Sequence, residues 1–529
     1  MASGVEKPHL PQTLHYLLHI PCQTYSVLTR TTSATLLGLD PIVIGVEVEA
    51  TQGIPNLVII GLATKEIEEA KERITASLLH CGVPIRAQRI LVNLAPADLK
   101  KSGSGFELAI AVALSMQYGA LKDRYDDTLF FGELSLDGEL RQVRGALPLT
   151  LAAKKLGFAR IVLPAANSEE VGIIQGITIH PFKTLRQLLN TQKNEWPTLT
   201  PKPFTGSLQS AEVNFSEIID QQEAKRALMI SAAGGHNTLL VGPPGTGKSL
   251  LAKAFCGIIP PLTQQEAIEV TSIYSVAGLT ACSGLVTTRP FRTPHHTSST
   301  AGITGGGSPP MPGEVSLAHR GVLFLDEFTE FSHDSIDALR QPIEDKAITI
   351  SRVGHTVRYP ADFTLLAACN PCPCGYKGSK TKACRCSLSK TRAYFSKISG
   401  PILDRIDSTI WAGEVSANKL TSLFQEKTED SDSIRARVQA ARSRQYARLK
   451  TSPFLTNGDL SASAVKELCH LHLHARRCLL RESIKSKLSA RGIIRLIKVA
   501  QTIADLSASS IIHSEHIQQA FQLRHPLLY

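Results

Sequence analysis

The sequence predicts an α/β protein with a helical C-terminal region, and three observations support this fold class. Apolar strands alternate with amphipathic helices over about residues 25–190. A second region, about residues 208–411, contains an apolar strand that leads through a glycine-rich turn into a helix. From about residue 412 to residue 529 the pattern is helical and basic. We therefore expect three domains, in line with roughly 150 residues per domain.

The first region follows an N-terminal extension of residues 1–24 and precedes a linker of residues 191–207, which contains three prolines. Its apolar residues alternate with the period of strands in some segments and of helices in others. The predicted strands are Ile42–Ala50, Asn56–Ile60 and Arg89–Leu94, and the predicted helices are Glu66–His80 and Gly105–Tyr118.

The composition is that of a globular protein with an excess of positive charge. Hydrophobic residues make up 43% and charged residues 19%, and the formal net charge is +11. This excess predicts a polyanionic partner, nucleic acid first, although a solvated basic surface gives the same count. The sequence has no run of 18 apolar residues, no secretory signal pattern and only 11 cysteines. We therefore expect a cytoplasmic protein without membrane contact.

The second region contains a glycine-rich loop that is typical of phosphate binding. The apolar strand Thr238–Val241 runs into this loop, and a helix follows it. In such a P-loop, or Walker A motif, backbone amides surround the phosphates of ATP. Lys248 can reach the β- and γ-phosphates, and the Ser249 hydroxyl can bind Mg²⁺. The nucleotide-binding residues are Gly242, Pro243, Pro244, Gly245, Thr246, Gly247, Lys248 and Ser249.

Polar residues end two further apolar strands of this region. The strand Val322–Leu325 ends in Asp326 and Glu327, a Walker B pattern. Asp326 suits the Mg²⁺ shell, and Glu327 suits a general base that activates the attacking water. A later strand ends at Asn370, which can orient that water as the sensor 1 residue of AAA+ proteins. Acids that only cap a helix, or an asparagine that only makes a turn, are the structural alternatives.

Two arginines complete the predicted catalytic set. Arg405 follows the sensor strand, where an arginine finger can reach the γ-phosphate of a neighbouring subunit. The alternative is a local salt bridge from Arg405 to Asp404 or Asp407. In the C-terminal region Arg491 fits a sensor 2 role, with Arg495 one helical turn later as its rival.

These motifs, with six others, resemble the magnesium-chelatase-like AAA+ family, in its bacterial ComM/YifB branch. The resemblance covers about residues 25–529 and is more specific than Walker motifs alone. The six motifs are Asn93–Asp98, Gly132–Arg141, Gly234–Asn237, Arg289–His296, Asn370–Gly375 and Leu488–Arg491.

The resemblance implies a P-loop AAA+ core with a helical C-terminal lid, assembled as a hexameric ring that uses ATP and Mg²⁺. It also implies an insertion in helix 2, around Ser272–Pro309, and a hairpin before sensor 1 at Ala347–Phe363. Both would project into the central pore. The residues expected to face DNA there are Arg289, Arg292, Arg352, His355 and Arg358.

The N-terminal region resembles the Lon-protease-like (ribosomal S5-like) α+β fold. A Lon-type protease needs a serine and a lysine as its catalytic dyad. On the Lon pattern Gly105 falls near the serine position and Leu147 near the lysine position, while Ser104 is one residue off. We therefore expect a domain without protease activity, which argues against an ATP-dependent protease.

Four cysteines form two Cys-x-Cys pairs on a polar loop. Cys372, Cys374, Cys384 and Cys386 could close a tetrahedral, structural Zn²⁺ site, or they could be four free thiols. By contrast, His295 and His296 have no acid or cysteine at ligand spacing, and we interpret them as a polar turn.

Two basic stretches lie in the C-terminal region. Residues 434–457 contain six arginines and lysines and no acid, and residues 476–498 contain eight against one glutamate. Single-sign runs of this kind predict contact with DNA phosphates or with an acidic face of a neighbouring subunit. The sequence leaves both open.

The resemblance favours a DNA motor. ComM-like members act in natural transformation and homologous recombination, as helicases that promote branch migration. The alternative is a chelatase-type motor that remodels a protein or metal-insertion partner, and a third possibility is a scaffold whose ATPase drives only assembly.

Overall fold

The computed structural model describes residues 28–51, 53–61, 65–97, 105–206, 212–280, 284–352, 355–415 and 429–524. The N-terminal extension and Ser104, both named above, lie outside these residues. Among the described helices, none combines the length and the apolar character that a membrane span requires.

A seven-stranded mixed sheet forms the first region. Its order is β3-β4-β2-β1-β5-β8-β9. Strand β2 pairs antiparallel with β1 and with β4, and all other neighbouring strands of this sheet pair in parallel. A short ribbon of β6 and β7 lies beside it. The strands are β1 (Thr29–Leu37), β2 (Asp40–Thr51), β3 (Asn56–Ile60), β4 (Arg89–Ala95), β5 (Thr128–Phe130), β6 (Glu133–Leu134), β7 (Leu140–Arg141), β8 (Arg160–Pro164) and β9 (Thr178–Phe182).

The helices of this region cover the sheet. They are α1 (Lys65–His80), α2 (Glu107–Gln117), α3 (Ala146–Lys155), α4 (Ser168–Val171) and α5 (Leu185–Asn190). The predicted strands and both predicted helices are confirmed within a few residues. Helix α2 is apolar on all sides because it is buried against β1 and β2, where Thr31 Oγ1 donates to the carbonyl of Ala109 at 2.9 Å.

The second sheet is entirely parallel, in the order β11-β14-β17-β10-β18. Leu240 of β10 packs on one face of this sheet, while Leu239 and Val241 pack on the other, because side chains alternate along a strand. Its strands are β10 (Thr238–Val241), β11 (Phe291–Arg292), β14 (Val322–Leu325), β17 (Thr364–Cys369) and β18 (Ser408–Trp411).

Helices flank this sheet and connect its strands. They are α6 (Gln222–Gly234), α7 (Lys248–Ile258), α8 (Gln264–Ala277), α9 (Thr300–Thr304), α10 (Glu314–Leu317), α11 (His333–Ala338), α12 (Arg340–Asp345), α13 (Leu388–Phe395) and α14 (Gly400–Leu403). Because parallel strands all point the same way, the residues that follow β10, β14 and β17 meet at one edge.

Two antiparallel hairpins project from this core. The first joins β12 (Gly305–Gly306) to β13 (Met311–Pro312), between α9 and α10. The second joins β15 (Ala347–Arg352) to β16 (His355–Pro360), with Arg352 paired to His355, and confirms the hairpin expected before sensor 1. We refer to them as the β12–β13 hairpin and the β15–β16 hairpin.

The range predicted for the insertion begins inside a helix. Ser272, its predicted first residue, lies in helix α8, which Thr263 caps and which continues to Ala277. Strand β11, helix α9 and strand β12 follow within the predicted range. That this range forms a pore insertion stays a prediction.

The C-terminal region is helical as predicted and packs on the core. Its helices are α15 (Ser431–Leu449), α16 (Ala462–Leu468), α17 (Leu473–Lys485), α18 (Ala490–Leu506) and α19 (Ser514–Gln522). Leu496, Val499 and Ile503 of α18 form an apolar cluster with Ile230 of α6. Burial of this cluster holds the lid against the helix that precedes the P-loop strand.

Candidate nucleotide site

The P-loop has the backbone shape that its glycines permit. Gly245 and Gly247 adopt positive φ angles of +77° and +80°, which residues with a side chain rarely adopt. Gly242 is required for space, since a Cβ there would lie 2.2 Å from the carbonyl oxygen of Ala412. Helix α7 begins at Lys248, so its first amides point into the loop, as anion binding requires.

Lys248 connects the loop to the end of strand β17. Its Nζ donates to the carbonyls of Gly242 at 2.7 Å and Pro243 at 2.8 Å, and to Asn370 Oδ1 at 3.4 Å. Burial lowers the pKa of Lys248, while the nearby carboxylate of Asp326 acts in the opposite direction. The predicted phosphate-binding lysine and the predicted sensor asparagine therefore lie at the same edge.

Ser249 and Asp326 lie together where Mg²⁺ would bind. Ser249 Oγ donates to Asp326 Oδ2 at 2.7 Å, although the two residues are 77 positions apart in the chain. Two oxygens at this separation can occupy neighbouring positions of the octahedral shell that Mg²⁺ prefers, where metal–oxygen distances are about 2.0–2.1 Å. These residues fit the predicted metal ligands.

Glu327 has a partner that the sequence did not indicate. It follows Asp326 with φ of +50°, and its side chain is 59% exposed. Its Oε2 lies 3.2 Å from Nδ1 of His296, which we had interpreted as part of a polar turn. His296 also packs against Phe331, with ring centroids 6.5 Å apart. Spacing alone could not reveal this pair, because the parallel pairing of β11 and β14 brings the two residues together.

Arg405 lies at the opposite edge of the same sheet. Ser408 of β18 pairs with Thr238, the first residue of β10, so Arg405 precedes the start of the strands whereas the P-loop follows their ends. A strand of four residues spans about 13 Å. Arg405 and the P-loop of its own chain therefore lie at opposite ends of these strands. Its guanidinium forms a salt bridge with Glu344, not with Asp404 or Asp407.

The sensor 2 candidates also lie towards this opposite edge. Arg495 is buried and donates to the carbonyls of Ile406 at 2.8 Å and Leu403 at 3.3 Å, with Asp404 3.2 Å away. It fastens the lid to the core. Arg491 is exposed in the first turn of the same helix, which places it on the side of Arg405.

His236 and Asn237, from the motif before the P-loop strand, are structural. Asn237 donates from Nδ2 to the carbonyl of Arg405 at 3.1 Å, and its Oδ1 accepts from the amide of Leu365 at 2.9 Å. His236 is buried, with Nε2 2.8 Å from Thr502 Oγ1 of the lid. The motif therefore ties together the starts of three strands and helix α18.

Two of the residues predicted to face DNA are engaged within the chain. Arg289 is 14% exposed, forms a salt bridge with Glu266 at 3.0 Å and donates to the carbonyl of Arg320 at 2.6 Å. Arg292 makes a two-pronged pair with Glu314 at 2.7 and 2.8 Å. Both guanidinium groups therefore form ion pairs within the chain, and that these arginines face DNA stays a prediction.

The β15–β16 hairpin, in contrast, presents cations to solvent. Arg358 lies on its exposed face with Thr349, Ser351 and Thr356, and Arg352 is exposed near the tip. His355 pairs with Arg352 across the turn, so its backbone occupies the predicted place. The opposite face of the hairpin is apolar and buried.

The two basic stretches of the C-terminal region differ in exposure. In helix α15, Arg442 donates to the carbonyl of Ala232 at 2.8 Å, and Arg448 pairs with Asp505 at 2.7 Å. Arg442 therefore holds α15 to α6 of the core, whereas Arg448 joins α15 to α18 within the C-terminal region. Helix α17 instead exposes Arg476, Arg477, Arg481 and Lys485.

The four predicted cysteine ligands converge. Cys372, Cys374, Cys384 and Cys386 have their Sγ atoms all within 4.8 Å of one another, with separations of 3.4 and 3.7 Å among the first three. A tetrahedral Zn²⁺ with Zn–S bonds of about 2.3 Å requires sulfurs about 3.8 Å apart. Backbone amides of Tyr376 and Arg385 lower the pKa of Cys374 to about 6, whereas burial raises the pKa of Cys372 to about 12.

The cysteine loop, residues 372–386, packs on the nucleotide site. It begins two residues after Asn370, and a Cβ at Gly375 would lie 3.1 Å from Pro244 of the P-loop. At its other side Glu414 accepts from the amide of Lys380 at 2.9 Å. The loop therefore adjoins both Asn370, which precedes it in the chain, and Pro244 of the P-loop.

The positions compared with a protease dyad hold no reactive group. Gly105 is packed so closely that a Cβ would lie 2.1 Å from the ring of Phe131. Leu147 is fully buried, and its amide donates to Glu170 at 3.0 Å. That the N-terminal domain is Lon-like and lacks protease activity stays a prediction.

Three family models match the chain. The family described as magnesium chelatase, subunit ChlI matches residues 214–420. Subunit ChlI of Mg-chelatase matches residues 46–167, and magnesium chelatase, subunit ChlI C-terminal matches residues 428–524.

Similar proteins extend over most of the chain. The uncharacterized protein YifB of Escherichia coli is 38% identical over 92% of this chain and 95% of its own length. The competence protein ComM of Haemophilus influenzae is 36% identical over 93% of this chain and 96% of its own length. The magnesium-chelatase 38 kDa subunit of Rhodobacter capsulatus is 26% identical over 30% of this chain and 50% of its own length.

Proposed function

Because this chain belongs to the magnesium chelatase ChlI family of AAA+ ATPases, in the branch of ComM and YifB, we propose that it is a DNA motor. It assembles as a hexameric ring and couples ATP hydrolysis to movement on single-stranded or branched DNA. Its cellular role is branch migration in natural transformation and homologous recombination.

The residues at the carboxyl edge of the parallel sheet support the ATPase chemistry. Lys248 neutralises the β- and γ-phosphates, and the amides that open α7 bind their oxygens. Ser249 and Asp326 would hold Mg²⁺, which stabilises charge on the phosphates when bound. Glu327 accepts the proton of the attacking water, and Asn370 orients that water.

The position of Arg405 supports a ring. It lies at the far edge from its own P-loop, where an arginine of one chain can serve the site of a neighbouring chain. A guanidinium at the γ-phosphate stabilises the charge that develops in the transition state. In the ring, the Arg405 guanidinium leaves its salt bridge with Glu344 and binds the γ-phosphate of ATP on the neighbouring subunit. Arg491 lies on the same side of the subunit as Arg405.

The single observation that carries the DNA function is the β15–β16 hairpin. Its outer face combines Arg358 with hydroxyl side chains, and Arg352 lies near its tip. Arginine and hydroxyl groups are the usual partners of phosphate oxygens, and they need no particular base. The likeness to a competence protein supports DNA as the polyanion.

ATPase measurements with single-stranded and forked DNA test this function. We expect DNA to raise turnover, with forked DNA the more effective. Arg358→Ala should raise the DNA concentration for half-maximal stimulation several-fold and flatten its dependence on log salt by about 0.7–1, the contribution of one phosphate contact.

Lys155→Ala provides the matched control, because it removes one exposed positive charge from the N-terminal sheet region. It should behave as the wild type does. ATPase activity that no DNA alters would contradict the DNA motor. It would favour the chelatase-type motor that remodels a protein partner, as the family matches suggest.

The cysteine loop completes the proposal with a structural Zn²⁺. Four thiolates leave no open coordination position, so this ion would hold the loop in place and take no part in hydrolysis.

A further inference from the structure

The first region reaches the second region through the turn between its strands β1 and β2. Strand β1 ends at Leu37 and β2 begins at Asp40, so two residues, Gly38 and Leu39, join them and form what we call the β1–β2 turn. Leu37 and Leu39 pack against the apolar cluster that contains Val357 of β16. The turn therefore lies against the apolar face of the β15–β16 hairpin.

Gly38 brings the backbone of the turn directly onto this hairpin. The residue is buried, has a φ of +67°, and a Cβ there would lie 2.1 Å from Cγ1 of Val357 and 3.6 Å from Cζ of Tyr359. Val357 is 2% exposed and branched at Cβ, so its side chain has few rotamers with which to make room. Any side chain at Gly38 would therefore displace the turn or the hairpin.

The β15–β16 hairpin needs support on its apolar face, because a two-stranded hairpin alone is at best marginally stable in water. Tyr359 provides part of this support, since its Oη donates to the carbonyl of Pro310 in the core at 3.0 Å. The β1–β2 turn provides another part at Val357. Because successive side chains of a strand point to opposite faces, whatever holds Val357 also determines where the exposed Arg358 stands.

The first region is itself attached to the second region at helix α8. The amide of Gly145 donates to Ser275 Oγ at 2.9 Å, and the Ser275 hydroxyl donates to Glu170. A Cβ at Gly278 would lie 2.7 Å from Nε of Arg144. Strand β1 lies inside the seven-stranded sheet, between β2 and β5. The β1–β2 turn therefore projects from a sheet that contacts at α8 also hold in place.

We propose that the first region positions the β15–β16 hairpin for DNA, and that Leu37, Gly38 and Leu39 are positioning residues that act through Val357 on the place of Arg358. This role requires no serine and lysine dyad. The inference rests on the proposed function, since the hairpin must be the element that binds DNA.

Cleavage of the hairpin by trypsin tests the contact without DNA. Gly38→Ala forces the turn and Val357 apart, and we expect cleavage after Arg352 to become at least about fivefold faster, because overpacking weakens a buried contact and proteolysis follows local opening. Adding Val357→Ala removes the methyl group that the new Cβ meets and should slow this cleavage again. Mass spectrometry of the peptides measures the rates.

Gly82→Ala is the matched control, because Gly82 also has a positive φ, +82°, but a Cβ there would meet nothing within 4 Å. It strains the backbone of the same region and should leave cleavage after Arg352 unchanged. Leu39→Ala removes apolar contact without backbone strain and should also speed cleavage, with circular dichroism measured on every sample. Cleavage that neither Gly38→Ala nor Leu39→Ala accelerates would overturn the inference.

DNA-stimulated ATPase activity separates this inference from the proposed function. Gly38→Ala should raise the DNA concentration for half-maximal stimulation several-fold, and Gly82→Ala should not. Faster cleavage with an unchanged response to DNA would overturn the role of the contact in DNA binding. If DNA stimulates no form of the protein, the wild type included, the proposed function fails, while faster cleavage still shows that the turn positions the hairpin.

Discussion

At the scale of single residues, the nucleotide site depends on groups whose partners come from distant parts of the chain. Ser249 and Asp326 share a hydrogen bond of 2.7 Å across 77 positions, and Lys248 lies against Asn370. Glu327 differs from these residues because its side chain projects from the edge and contacts His296. A general base must be free to approach the water, so this exposure suits its role.

Glu327→Gln should slow ATP turnover by about 10²–10⁴-fold, because the amide cannot accept the proton of the attacking water. ATP binding and ring assembly should persist, since the P-loop is unchanged. Steady-state ATPase assays and binding of a fluorescent ATP analogue measure the two effects.

Glu330→Gln supplies the control for this substitution. Glu330 is another exposed acid three residues later, and it lies 3.5 Å from Lys397. Its change should leave turnover close to that of the wild type. Near-normal turnover in Glu327→Gln would remove Glu327 from the role of base.

At the scale of elements, the cysteine loop acts on the nucleotide site through packing. It leaves strand β17 next to Asn370, and Gly375 lies against Pro244 of the P-loop. Gly378 packs on the ring of Trp411 at the end of β18. A loop of this length and polarity has little apolar surface of its own, so a metal would supply the stability that it lacks.

Purified protein should carry about one Zn²⁺ per chain, measured by elemental analysis. Cys384→Ser should weaken zinc binding more than tenfold, because it removes one of four ligands, and should also lower ATPase activity through Asn370 and Pro244. Cys81→Ser, which changes a partly buried cysteine of the first region, should alter neither the zinc content nor the ATPase activity. A folded, fully active and zinc-free preparation would show that the thiols are free.

At the scale of the whole molecule, the residues predicted to act in ATP hydrolysis lie at two opposite edges of one sheet. The P-loop, Glu327 and Asn370 follow the ends of the strands, whereas Arg405 precedes the start of β18. Helix α18 of the lid lies against the segment of Arg405 through Arg495. In the proposed ring, Arg405 of each copy would complete the site of its neighbour, as a closed symmetric assembly allows.

Mixing two inactive variants, Lys248→Ala and Arg405→Ala, should restore part of the ATPase activity. Each variant alone should lose about 10³-fold or more, because one lacks the phosphate-binding lysine and the other the finger. In mixed rings, some interfaces pair an intact P-loop with an intact Arg405. ATPase assays across mixing ratios measure the recovery.

A mixture of wild-type protein with the double variant Lys248→Ala/Arg405→Ala is the control, since the double variant cannot complement and should only dilute activity. Absence of recovery at every mixing ratio would contradict a site shared between subunits.

The sequence determined the local features of this protein. Strand and helix periods predicted β2, β3, β4, α1 and α2, and the glycines between β10 and α7 predicted a phosphate-binding loop. Lys248, Asp326 and Asn370 each follow an apolar strand, and this pattern predicted that they lie in one site. The close approach of the four cysteine sulfurs was also predicted from their spacing, because a short loop keeps them close.

The tertiary structure alone decided which partners distant residues have. The pairing of β11 with β14 brings His296 close to Glu327. Arg289 and Arg292 form ion pairs within the core, whereas Arg358, which has the same charge, is exposed. A sequence records the kind of side chain and its distance along the chain. Whether a cation meets solvent, a carboxylate or a carbonyl depends on burial and on strand order, which arise only when the chain packs.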